Sequence, residues 1–344
     1  MTAGRGTRLH RGALLGFGGV ARASHLPGAR FDPVVAGRVE IVAAVDPAPD
    51  ASVDADIPVV ATRDELGRFD LDFVDVCTPT AMHLESTIWA LGKGYHVLCE
   101  KPVAVSMAEA DTIARAARAA ARVVVPCHQH RFNPAWLAMN RWLADGAIGH
   151  WHLAELSVYR LSADVGRDRS GRPWRTQASD GGRTAGGGIV LDHGTHLLYA
   201  LIDAAGSMPV ASRAWTGRLR HRGYSAEDTA QIILEFPDRL ATITLTWAAN
   251  HRENRVRFIG ERGTIDWQGG LLRIDREGRE PEISDFSAQL DKRSYVQWFA
   301  RQYELLADTI DSGRANEQME EISRVARVLE SIYTAADTGN RAPV

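Results

Sequence analysis

Gly12–Ala21 reads GALLGFGGVA, an apolar run that breaks into glycine at 16 and 18 and closes on alanine at 21. This is the spacing G-x-G-x-x-G/A, set between a strand-like segment and a helix-forming one. Glycine lets the chain turn sharply and lets backbone amides approach a pyrophosphate, whose charge the following helix N-terminus favours. The turn predicts Gly16, Phe17, Gly18, Gly19 and Val20 as the phosphate-binding segment of a dinucleotide site. The next apolar run, EIVAAV, ends at Asp46, where a carboxylate would accept hydrogen bonds from the adenosine ribose and repel a 2′-phosphate. The expected cofactor is therefore NAD. The separation from Gly16 to Asp46 exceeds the usual roughly 20 residues, and Pro27–Gly37 reads as a loop insertion that accounts for it.

Working outward, Phe73–Cys77, His96–Cys99 and Val123–Pro126 join Gly12–Phe17 and Glu40–Val45 as short β-branched runs. Alanine-rich helical stretches separate them, one opened by a Ser106/Glu109 capping box and running to about Ala121. Strands alternating with helices predict a doubly wound parallel sheet. After residue 128 the texture changes. In Leu240–Trp247, LATITLTW, Ile243, Leu245 and Trp247 face one way and Thr242, Thr244 and Thr246 the other, as in an open, largely antiparallel sheet with one apolar face. The expected organisation is α/β throughout: residues 1–128 a dinucleotide-binding domain, residues 129–344 a substrate-binding and oligomerisation domain. Two helices, Ser294–Asp311 and Met319–Ala336, end the chain, and the last could pack back on the first domain.

Composition narrows the function. A hydrophobic content of 45%, a charged content of 24% and a net charge of -3 give no basic excess for nucleic acid or a membrane surface. No apolar run approaches the roughly 18 residues of a spanning helix, and the N-terminus has no apolar leader, so a cytoplasmic protein is expected. Cys77, Cys99 and Cys127 form no CxxC pair and read as buried small apolar residues, without a metal.

The residues that carry chemistry collect at strand ends. Only Lys93, Lys101 and Lys292 among 40 basic residues are lysines, and Lys101 follows the run HVLC in HVLCEKP. A desolvated lysine can exchange its proton where arginine cannot. Thr78 and Pro79, in CTPTAMH, end the third of these strands, and Glu100 and Lys101 the fourth; ligands of open α/β sheets bind at that edge. Thr78 and Pro79 would wall the nicotinamide side. His83 reads as a packing or capping residue beside the cofactor, and Glu100 as a partner that orients the lysine and contacts the cofactor. In HQHRFNP, Gln129 would face the cofactor and Arg131 the substrate. In GGGIVLDHGTH, Asp192 and His196 stand four apart, so that on a helical turn the carboxylate could orient the imidazole. A metal shared by His193 and His196 is the rival reading, with no third ligand cluster to support it. Ser162–Ala185 is a polar loop rich in arginine, either a solvated lid or an anion-binding surface, with Trp174 and Arg175 as candidate substrate contacts.

Together, GFGGVA, the acid-ended second strand, CTPTAMH, CEKP, HRFNP, GGGIVLDHGTH, GERGTIDW and the closing helices resemble the Gfo/Idh/MocA family, named for glucose-fructose oxidoreductase and inositol 2-dehydrogenase. The resemblance spans nearly the whole chain. It implies a Rossmann domain followed by an α/β domain, an active site between them, Lys101, Asp192 and His196 as the catalytic set, and a homodimer or homotetramer built through the second sheet. It also implies reversible hydride transfer between nicotinamide and a secondary alcohol or ketone carbon of a sugar, cyclitol or amino-sugar glycoside. The alternatives are an NADH-dependent reductase of a keto nucleotide sugar and a non-catalytic dinucleotide-sensing regulator.

Overall fold

The computed structural model describes residues 8–47, 56–163, 176, 188–290 and 294–344. By contact the chain divides into two compact units, Met1–Val103 with Ala108–Gln129 and Lys292–Ile322, and Ala104–Met107 with His130–Asp291 and Ser323–Val344.

The sheet of the first unit comprises β1 (His10–Leu15), β2 (Val39–Val45), β3 (Val59–Val60), β4 (Phe73–Val76), β5 (His96–Glu100) and β6 (Val124–Cys127). Its order is β3-β2-β1-β4-β5-β6, every neighbour parallel, which is the strand order of a dinucleotide-binding Rossmann sheet. Parallel strands covered on both faces need continuous apolar runs, and β4 and β6 are buried at every residue. Helices α1 (His83–Gly92) and α2 (Met107–Ala120) connect β4 to β5 and β5 to β6. β1 ends at Leu15, because Gly16 turns away with φ +100°. The segment expected as a loop insertion contains two four-residue helices, Leu26–Ala29 and Pro33–Ala36. Pro27 and Pro33 suit helix starts, and the Asp32 carboxylate accepts from the N–H groups of Val34 and Val35.

The core joins Leu14, Phe73, Leu98 and Val125 to Phe299, Tyr303 and Leu306 of α3 (Tyr295–Ser312). Removing each large apolar side chain from water contributes roughly 1.5–3 kcal/mol, so these residues return a C-terminal helix to the first sheet. One strand residue breaks the apolar rule: Asp75, in the centre of β4, is wholly buried.

In the second unit, α4 (Pro134–Ala144) leads to β7 (Trp151–Tyr159), and α5 (Thr195–Ala205) follows. Then come β8 (Ala211–Gly217), β9 (Thr229–Glu235), β10 (Leu240–Thr246), β11 (Glu253–Gly260), β12 (Gly263–Gln268), β13 (Leu271–Arg276) and β14 (Glu282–Asp285). The long helix α6 (Ala315–Thr338) and β15 (Ala342–Pro343) end the chain. The nine strands run β14-β13-β12-β11-β7-β10-β9-β8-β15, and only β7 with β10 is parallel. In β10 the expected alternation holds: Ala241, Ile243 and Leu245 are buried, Thr242, Thr244 and Thr246 half-buried. The buried face packs with Tyr199, Ile202, Val328 and Ile332. The other face carries charge, with Arg255 and Arg257 of β11 both donating to Asp266 of β12 at 2.6–3.1 Å.

Candidate active site

The glycine turn is built from two backbone demands. Gly16 donates its N–H to the Val45 carbonyl at 3.1 Å, and a Cβ placed on it would stand 2.9 Å from the Cys77 carbonyl carbon and oxygen. Gly18 and Gly19 have the opposite surroundings, with nothing within 4 Å of where a Cβ would project. Phe17 and Ala21 are buried in the first core and anchor the turn, whereas Gly18, Gly19 and Val20 are exposed at the start of the helix. Asp46 follows β2, half-buried, its N–H bonded to the Val60 carbonyl at 3.0 Å.

Thr78 and Pro79 leave the end of β4 beside this turn. Among the described residues, the Thr78 hydroxyl oxygen is buried without a hydrogen-bond partner, as is the side-chain carbonyl oxygen of Gln129. Buried polar groups are normally paired, so two such atoms, an open glycine pair and a carboxylate after β2 fit a dinucleotide. His83 lies 2.8 Å from the Pro102 carbonyl through Nδ1 and 2.9 Å from the Thr78 carbonyl through Nε2, joining the loops after β4 and β5. Burial holds its pKa below the ordinary imidazole value against the pull of the two carbonyls.

Lys101 follows β5, half-buried, joined to Pro102 by a cis peptide bond. Its N–H donates to Glu100 Oε2 at 3.1 Å. The other Glu100 oxygen, Oε1, lies 3.0 Å from His25 Nε2, and His25 Nδ1 lies 2.7 Å from Asp75 Oδ2, which also accepts the Tyr303 hydroxyl at 2.5 Å. For His25, burial opposes the charge, but Asp75 and Glu100 together outweigh it and raise the pKa to about 10. For Glu100, burial works upward, yet hydrogen bonding and charge from His25, with Lys101 and His83, bring the carboxyl below its ordinary range.

In the second unit, Val190–Gly194 forms a π turn that runs into α5. Two pairings stand at this turn. Asp192 Oδ2 stands 3.2 Å from His193 Nδ1, and His196 Nδ1 meets the Tyr199 hydroxyl at 3.1 Å. The Tyr199 hydroxyl also accepts the His130 N–H at 3.0 Å, and the His130 ring stacks on His196 with centroids 4.0 Å apart. His128 instead pairs with Glu321 in the first unit. Arg131, expected at the substrate, forms an ion pair with Asp203 of α5 at 3.3 Å. Trp174 and Arg175 lie outside the described residues.

Several residues of these networks escaped the sequence reading, among them His25, Asp75, Tyr303, Tyr199 and Glu227. Glu227 is half-buried and accepts from the Val190 N–H at 3.2 Å and the Tyr333 hydroxyl at 3.0 Å, so it caps the segment that bears Asp192; desolvation raises its pKa. The one available signal was Asp75, an acid inside the otherwise apolar run FVDV.

A Rossmann sheet with this glycine turn, an acid after its second strand and unpaired polar atoms at the carboxyl strand ends define a nicotinamide-dinucleotide oxidoreductase. Residues 11–128 match the family model described as an oxidoreductase family with an NAD-binding Rossmann fold, and residues 136–266 match the GFO/IDH/MocA C-terminal domain. The chain belongs to the Gfo/Idh/MocA family of NAD-binding oxidoreductases. It is similar to D-glucoside 3-dehydrogenase of Escherichia coli, 24% identical over 78% of each chain. It is also similar to a putative UDP-kanosamine synthase oxidoreductase subunit of Amycolatopsis mediterranei, 28% identical over 95% of this chain and 96% of that one. An inositol dehydrogenase homolog from Azotobacter vinelandii, solved with NAD+, shares the fold with a TM-score of 0.80 at 20% identity, covering 99% of this chain and 98% of the other. Among the described residues no helix is long and apolar enough to cross a membrane.

Proposed function

We propose that the protein is an NAD-dependent dehydrogenase of a secondary carbinol in a sugar, cyclitol or amino-sugar glycoside, with Lys101, Asp192 and His196 as its catalytic residues. The observation that carries this reading is that a chain of this family keeps a lysine on the turn after β5, its N–H fixed by Glu100. The names of the relatives, a glucoside dehydrogenase among them, support a sugar-like substrate.

NAD, when bound, supplies the acceptor for the carbinol hydride. The rest falls to the chain. Gly16, Phe17, Gly18, Gly19 and Val20 receive the pyrophosphate, Asp46 the adenosine ribose, and Thr78, Pro79, His83, Glu100 and Gln129 surround the nicotinamide end. Oxidising a carbinol requires removal of its hydroxyl proton as the hydride leaves. Lys101 takes that proton through Nζ, while His196, oriented by Asp192 and Tyr199, donates to the reacting oxygen. The first unit, α3 included, serves as the cofactor domain and the second unit as the substrate domain, and the charged face of the second sheet joins copies into a homodimer or homotetramer.

The similarity to the Amycolatopsis protein across nearly the whole chain favours a second reading, reduction of a keto nucleotide sugar with NADH. One experiment separates the two. Reduced-nicotinamide absorbance is followed with NAD and a panel of inositols, sugars and aminoglycosides, and with NADH and a keto nucleotide sugar, beside Lys101→Met. The expected result is turnover that Lys101→Met abolishes while NADH binding persists. Near-normal turnover in that variant would overturn the lysine assignment.

A further inference from the structure

We propose that His25 is a positioning residue for Lys101, acting through the Glu100 carboxylate and tying the catalytic turn to the glycine turn of the cofactor site. The inference rests on the reading of Lys101 as the catalytic lysine.

His25 ends the π turn Ala21–His25 that follows GFGGVA. Its side chain is wholly buried, and both ring nitrogens are taken up by carboxylates: Nδ1 by Asp75 at 2.7 Å and Nε2 by Glu100 at 3.0 Å. An ionised carboxylate only accepts hydrogen bonds, so both contacts are satisfied together only by the doubly protonated ring. The ring is confined by Phe299, with centroids 4.5 Å apart, and by the edge of Tyr303 at 6.4 Å. Asp75 is in turn fixed by the Tyr303 hydroxyl at 2.5 Å and approached by Cys77 Sγ at 3.5 Å. Glu100 uses its second oxygen for the Lys101 N–H at 3.1 Å. The charged and titratable groups facing the imidazole are thus Asp75 and Cys77 after β4, Glu100 on β5, Cys127 on β6 and Tyr303 on α3, with Lys101 and His83 acting on Glu100.

This arrangement gives Glu100 a single orientation. One oxygen points inward to a cation that cannot move, which leaves the other aimed at the lysine N–H. Without the cation, a buried carboxylate would lose its charge or rotate towards solvent, and the turn bearing Lys101 would lose its anchor. Because the same imidazole stands on the helix that starts at the glycine turn, it links the cofactor segment to the proton-transfer segment through two consecutive hydrogen bonds. The ligand atoms of His25, Glu100 and Cys127 lie within 4.8 Å of one another and could also gather on a cation. The hydrogen-bonded reading is preferred because both ring nitrogens already hold oxygens at hydrogen-bond distance.

The test uses His25→Asn, Glu100→Gln and the double variant of the full chain. Steady-state turnover is measured across pH, beside NADH titration, thermal unfolding and Lys101→Met. Acting through one carboxylate, the two changes should lower kcat by about 10–100-fold each. The double variant should be no worse than the poorer single one, KM should move little, and the limb of the wild-type pH profile that reports loss of the general base on acidification should be displaced. Multiplicative losses, or losses that follow only the folded fraction with an unmoved limb, would overturn the proposal. A second measurement is independent of any substrate. The chain has three lysines, so reductive methylation with a carbon-13 label gives a small set of lysine signals, with that of Lys101 assigned from Lys101→Met. His25→Asn and Glu100→Gln should each displace the Lys101 signal and leave those of Lys93 and Lys292 in place. An unmoved Lys101 signal overturns the inference even where turnover is found. A displaced signal beside full activity of Lys101→Met upholds the coupling and refutes the catalytic reading instead. If His25→Asn does not fold, Glu100→Gln alone decides by the same signal, because it keeps the His25–Asp75 pair.

Discussion

Alanine substitutions at Gly16 and Gly18 should fail in opposite ways. At Gly16 the backbone has φ +100°, a conformation that costs an L-residue about 1–3 kcal/mol. The added methyl would also stand 2.9 Å from the Cys77 carbonyl and 3.0 Å from the Thr78 nitrogen. Those are backbone atoms between paired strands, so relief requires β4 to shift, and overpacking of this kind adds about 1–3 kcal/mol. The expected loss is about 2–6 kcal/mol, a large part of the roughly 5–15 kcal/mol that holds a domain together. At Gly18 the methyl meets nothing within 4 Å, so stability should stay within about 0.5 kcal/mol. There the cost should fall on binding, since the methyl occupies the space through which a pyrophosphate approaches the backbone. Urea unfolding and NADH fluorescence titration read the two quantities. Gly16→Ala should lower the unfolding midpoint, and Gly18→Ala should weaken NADH at least tenfold with an unchanged midpoint. Undiminished NADH affinity in Gly18→Ala would refute the assignment of the open glycines to the cofactor.

Two further outcomes follow from the buried networks. His25 has a folded-state pKa raised from 6.5 to about 10, so its contribution is complete below about pH 6.5 and is lost as pH rises through about 10. Its ceiling is about 5 kcal/mol. Glu100, held below its ordinary 4.5, contributes above that value and is lost on acidification. Urea midpoints measured from pH 4 to 10, with these bounds taken from the same two groups, should therefore peak between about pH 5 and 6.5. His25→Asn should flatten the alkaline fall, and an unchanged slope would contradict a charged His25. Tyr199→Phe removes the acceptor of the His130 N–H and the partner of His196 Nδ1. It should cost about 1–3 kcal/mol in stability and lower kcat more than KM is changed; wild-type kinetics would show that Tyr199 does not hold His196.

The Rossmann sheet was legible because its signal is local. The apolar runs of β4, β5 and β6 are short, interrupted in mid-strand only by Asp75, and spaced by helices, and the alternation of β10 declares one buried face. The glycine turn and the lysine after β5 are likewise read within a few residues. The partners that hold these groups are not. Asp75 and Tyr303 are separated by 228 positions and His25 and Glu100 by 75, and nothing in either neighbourhood names the other. The return of α3 to the first core depends on Phe299, Tyr303 and Leu306 finding a complementary surface, which helical periodicity cannot specify.

The two π turns, Ala21–His25 and Val190–Gly194, give the protein an unusual relation to insertion and deletion. A π turn is how a helix absorbs one surplus residue without losing its course. Each key helix therefore carries an extra residue whose removal would leave a regular α-helix and an intact core downstream. What would be lost is the angular offset that aims His25 and Asp192, so a single deletion in either turn would preserve the architecture while erasing the orientation.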